Sequence, residues 1–63
     1  MVRLKDLSLL DTGKVAILSD PETKIEVHGW VIADPLWKGK LAFMASDNEE
    51  IIDIFSTDEI EFL

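Results

Sequence analysis

The chain has 63 residues, 48% of them hydrophobic, and a formal net charge of -7. That length fits one small domain over residues 1–63, which buries only about 60% of the surface its unfolded chain exposes. With no cysteine and a single histidine, neither a disulfide framework nor a structural zinc site is available to brace it.

Stability must therefore come from packing, from a partner or from self-association. The apolar fraction, with Trp30, Trp37, Phe43, Phe55 and Phe62 in it, is too high for intrinsic disorder.

In chain order, Arg3–Leu10 places Leu4, Leu7 and Leu10 three residues apart, the pattern of a short helical turn closing one end of a sheet. So short a helix needs tertiary packing to stand. Asp11–Gly13 reads as a turn, and Lys14–Ser19 as a first strand. Asp20-Pro21-Glu22-Thr23 is a second turn, with φ set by proline and an aspartate able to bond the following backbone.

Lys24–Ala33 alternates Ile25 and Val27 with Lys24, Glu26 and His28, the period of a half-buried strand. Gly29-Trp30 disturbs that period. Either a bulge at Gly29 turns Trp30 inward, or the second half of the strand is partly covered on both faces. Asp34–Gly39 forms the next break, with Gly39 suited to positive φ.

Lys40–Ala45 is a strand with Leu41 and Phe43 on one face, and Asp47-Asn48 suits a hairpin turn. Ser46–Phe55 admits two readings. Ser46 and Glu49 fit a helix capping box, but the isoleucines and the Glu49/Asp53 repulsion favour a strand over Glu50–Phe55. The strand is the expectation. Glu59–Phe62 is the last strand, with Glu59 and Glu61 outward.

The fold expected is mainly β: a small, strongly bent antiparallel sheet or SH3-like barrel of four to five short strands, preceded by a helical turn. The SH3-like comparison is one of size and strand pattern. Val15, Ile17, Ile25, Val27, Leu41, Phe43, Ile60 and Phe62 are the expected core.

Charge is unevenly placed. Six bases balance six acids from Met1 to Lys40, whereas Leu41–Leu63 carry Asp47, Glu49, Glu50, Asp53, Asp58, Glu59 and Glu61 with no base. That field repels phosphate and anionic lipid and attracts basic protein surfaces. The expected partner is thus a protein with a basic surface, not nucleic acid or membrane. Met1–Leu10 lacks the uninterrupted apolar core of a signal peptide, and no run reaches the length of a membrane span, so a cytoplasmic location is expected.

Signals for chemistry are sparse. His28 would need a nucleophile and an orienting carboxylate, with Ser19, Thr23 and Glu26 the candidates; an ordinary strand histidine is the simpler reading. Asp47, Glu49, Glu50 and Asp53 lack the register of a calcium loop. Glycines 13, 29 and 39 make no phosphate-binding motif. No cofactor, metal or catalytic residue is assigned.

The features that point outward are aromatics beside charge. Leu36 and Trp37 sit in a turn next to Lys38, Trp30 interrupts a strand, and Asp58, Glu59 and Glu61 lie near the end of the chain. These seven residues are the expected interaction site of a non-catalytic protein–protein interaction module, a small adaptor or regulatory protein. A DNA-mimicking inhibitor and a purely structural, self-associating subunit are the alternatives.

Overall fold

The computed structural model describes residues Met1–Leu63. Five antiparallel strands form a single open sheet: β1 (Val15–Ser19), β2 (Glu26–Ala33), β3 (Leu41–Ala45), β4 (Ile51–Asp53) and β5 (Glu59–Phe62). Their order is β4-β3-β2-β1-β5, a meander whose last strand returns to pair with the first. The expected helical turn is present as two 3-10 turns, Leu4–Asp6 and Leu9–Asp11, and there is no α-helix. No helix is long and apolar enough to cross a membrane.

The second 3-10 turn is held by its own polar residues. Ser8 N–H donates to the Asp11 carboxylate at 2.9 Å and Leu10 N–H donates to Ser8 Oγ at 3.3 Å. The Ser8 amide first, and the Lys14 ammonium 2.9 Å away second, hold the Asp11 carboxyl below its ordinary pKa.

Ser46–Phe55 contains no helix. The turn at Asp47-Asn48 forms, but the strand is only Ile51–Asp53, shorter than the expected Glu50–Phe55. Glu49 takes a left-handed φ of 55°, so Ser46 is no helix N-cap. Ile54 leaves the strand to drop into the core at 3% exposure.

The core lies on one face, where Ala16, Leu18, Val31, Leu41, Phe43, Ile54 and Ile60 pack together and Val2, Leu4, Leu7, Val27, Ile52 and Phe62 close around them. Val27, Leu41, Phe43, Ile60 and Phe62 occupy the face expected of them. Val15 and Ile17 do not: β1 is turned over, so Ala16 and Leu18 face inward while Val15 is 54% exposed. The reason is β5. Its inward residues Ile60 and Phe62 stand opposite Leu18 and Ala16, and side chains directly opposite share a face.

Ile25 is the other correction, at 63% exposure. Lys24 adopts a φ of 65° and Asp20 N–H bonds the Ile25 carbonyl at 3.0 Å. Ile25 therefore belongs to the hairpin connection, and β2 begins at Glu26.

The pairing of β2 continues unbroken through Gly29 and Trp30 with both neighbours, so there is no bulge and Trp30 stays on the face away from the core. Gly29 is instead a point of close approach. A Cβ there would overlap the Met44 carbonyl oxygen and lie 2.9 Å from Phe43 Cε2. Opposite Gly29 stand Ala16 on β1 and Ala45 on β3, so the three smallest side chains form one row across the concave face. Along that row the Phe43 ring fills the space a larger side chain would need.

Candidate functional site

Strand register fixes what lies on the face away from the core. Val15 pairs with Trp30, Trp30 with Met44, and Met44 with Ile51. This single row of four large apolar side chains runs across β1, β2, β3 and β4. Ile32 and Ala42 pair beside it on one side, and Ile17 lies on the other. Val15 and Ile51 are 54% and 45% exposed, while Ile17, Trp30, Ile32 and Met44 are half-buried.

The apolar half of this outer face runs into an acidic half. Ile17 is paired with Glu61, and Ser19 stands between Glu26 on β2 and Glu59 on β5. Glu59 is partly engaged, with Arg3 3.8 Å from it, and Glu61 is exposed. Alternation explains the placement: in β5 the apolar residues face the core, so both glutamates must project outward.

The residues singled out in the sequence separate into three places. Trp30, Glu59 and Glu61 share the outer face. Leu36, Trp37 and Lys38 stand together in the β2–β3 loop, where Leu36 and Trp37 are 86% and 66% exposed. The Asp34 carboxylate shapes this loop by accepting from Leu36 N–H at 2.9 Å and Trp37 N–H at 3.3 Å. Trp37 therefore caps no core.

Asp58 leaves the set. It is 6% exposed, and its carboxylate accepts from Phe55 N–H at 2.8 Å, so it holds the β4–β5 connection and offers no charge to the surface. Sequence reasoning missed the outer row itself. Its signal was the unbroken apolar run Val15–Leu18, which can leave one face apolar whichever way the strand turns.

The seven C-terminal acids do not form one regular array. Asp47, Glu49 and Glu50 lie in the β3–β4 turn, Asp53 on the β4 edge, Glu59 and Glu61 on the far edge, and Asp58 is buried. No three metal-ligating side chains converge. His28 is exposed on β2 opposite Ile17. Ser19 Oγ instead donates to the Glu59 carbonyl, and Thr23 Oγ1 accepts from Ile25 N–H; both candidate nucleophiles are engaged locally.

A second apolar surface lies on the concave side. A groove of about 230 Å³ is lined by Leu18, Ile25, Val27, Ile52 and Phe55, with Asp20, Asp53 and Asp58 at its border. No family model matches the chain, and comparisons with characterised proteins and with solved structures give no match.

Proposed function

We propose that the protein is a non-catalytic interaction module that docks its outer sheet face against a basic protein surface. The row Val15–Trp30–Met44–Ile51 carries this reading, because a contiguous apolar strip on a solvent-facing sheet is the usual mark of an interaction site. Trp30 would be its anchor, as tryptophan at the centre of a patch supplies much of the binding energy in many interfaces. Glu59, Glu61 and Glu26 at the acidic end would orient a basic partner during encounter. The fold is read as an open SH3-like roll, on the strength of its size and its strand order. Trp37 and Leu36, exposed at a loop tip, are a secondary contact.

The two roles separate in kinetics. After affinity capture at low salt, binding of the purified partner to Glu59→Lys/Glu61→Lys should show a lower kon with a flatter salt dependence. Trp30→Leu should act mainly on koff, weakening binding by about 2 kcal/mol. A partner whose binding ignores salt, the charge reversal and Trp30 alike would remove the outer face from consideration.

A further inference from the structure

The two edges of the sheet are treated differently. The free side of β5 is sealed by the N-terminal segment: Val2 N–H donates to the Ile60 carbonyl at 2.9 Å, and Ile60 N–H donates to Val2 at 2.8 Å. β4 at the other edge has β3 on one side and no strand on the other. An antiparallel ladder turns alternate residues toward its partner. The bond from Ala45 N–H to the Glu50 carbonyl at 3.0 Å assigns Glu50 and Ile52 to β3. The main-chain groups of Ile51 and Asp53 therefore point away from the sheet, a template for one more strand.

The concave groove lies against this same edge. Ile52 and Phe55 form its near wall, and Leu18, Ile25 and Val27 its far wall. Phe55 is 66% exposed and Ile25 63%, so two large apolar side chains stand open at its mouth. At about 230 Å³ it is below the roughly 300–1,000 Å³ of small-molecule sites. That size suits an apolar side chain, not a free metabolite.

We propose that β4 is a strand-addition site, in which an extended basic segment of a partner protein pairs with Ile51–Asp53 and seats one apolar side chain in the groove beside Ile52. Main-chain bonds would provide affinity, and alternate side chains the selectivity. Charge chooses the occupant. Asp53, 61% exposed in its side chain and 3.7 Å from Lys40, lies on this edge, and Asp20 borders the groove. No base occurs from Leu41 to Leu63. In a segment alternating basic and apolar residues, the apolar side chains face the groove beside Ile52 and the basic ones lie on the other face beside Asp53. A second copy of the chain would bring up another net charge of -7, and that self-repulsion opposes pairing of β4 with itself. This site shares Ile51 with the outer row but uses its main chain, and it does not depend on the anchor Trp30.

The test is NMR titration of the protein with a capped heptapeptide of alternating lysine and valine. Slowed amide exchange at Ile51 and Asp53 is expected, with the largest shifts at Ile25, Val27, Ile52 and Phe55. A peptide N-methylated at alternate amides should bind roughly fivefold more weakly, the loss of one net hydrogen bond. Asp53→Lys should weaken binding by roughly threefold or more, and Glu61→Lys, on the opposite edge, should leave it unchanged.

Shifts centred on Val15, Trp30 and Met44 would overturn strand addition and favour the outer face. Indifference to N-methylation, equal effects of the two charge reversals, or no shift at millimolar peptide would each overturn it outright. Protection of Ile51 and Asp53 that rises with protein concentration alone would replace the basic segment by a second copy. Loss of binding at β4 would leave the outer-face reading intact, since that face reports at Val15, Trp30 and Met44 and the groove at Ile25, Val27 and Phe55.

Discussion

Replacing Phe43 by Ala is expected to lower the stability of the fold by about 3–5 kcal/mol. Phe43 is fully buried on the central strand, opposite Val31 on one side and Ile52 on the other. Truncating a buried phenylalanine costs about 3–5 kcal/mol, through lost transfer energy and the cavity left behind. At about 0.05–0.15 kcal/mol per residue, a chain of 63 residues holds roughly 3–9 kcal/mol in total. The substitution therefore removes from about a third to all of the available stability. Urea titration followed by circular dichroism decides it, with Phe55→Ala as the control. Phe55 is 66% exposed, so its loss should be small. A Phe43→Ala protein melting at the parental temperature would mean the core is elsewhere.

Gly29→Ala should be nearly as damaging, although it adds one methyl group. The new Cβ would overlap the Met44 carbonyl oxygen and sit 2.8 Å from its carbonyl carbon. Both belong to the backbone of the adjacent strand, so no side chain can swing aside. Relief requires β2 and β3 to separate along the row Ala16–Gly29–Ala45, and Phe43 to shift as well. Overpacking a core commonly costs about 1–3 kcal/mol, and more when backbone must shift. We expect a loss at the upper end of that range or beyond it. The midpoint in urea should fall sharply, with disturbed amide shifts on both strands. A Gly29→Ala protein as stable as the parent would contradict this close approach.

These two residues also mark what the sequence made legible. Phe43 announced itself through the alternation of Leu41 and Phe43 in Lys40–Ala45. The first four strands were marked by the three turns between them, each with a physical cause: proline in Asp20–Thr23, Gly39 with its φ of 84°, and Asp47-Asn48. Gly29 was visible as a disturbance, but a missing Cβ serves a bulge and a close approach equally well. The unbroken register through Gly29 and the Met44 backbone beside it separate them.

The orientation of β1 was illegible for a different reason. Val15, Ala16, Ile17 and Leu18 are all apolar, so the strand has no polar face of its own. Its sidedness is decided by Ile60 and Phe62, more than forty residues away. The candidate site follows the same logic: Glu59 and Glu61 could be read as outward-facing from local alternation. The apolar row exists only through the register of four strands, and no single segment carries it. Asp58 resembled its neighbours in charge, and only its bond to Phe55 N–H sets it apart.

The return of β5 to β1 sets an order of assembly. The contacts from β1 to β4 are made by successive hairpins, each closing a short stretch of chain. The last pairing instead joins Ser19 to Glu59, 40 residues apart. Formed before the hairpins, it would carry a loop-closure penalty about 1.5 kcal/mol larger than that of the Ser19–Glu26 hairpin. Once the meander exists, the same ends are already near each other and most of that penalty is gone. Folding is thus expected to run from the middle of the sheet outward, with β5 and the Val2 strap arriving last. Under native conditions they would also be the first to open. Native-state amide exchange should show Ile60 opening at lower free energy than Val31 and Phe43; equal values would mean that the sheet opens as one unit.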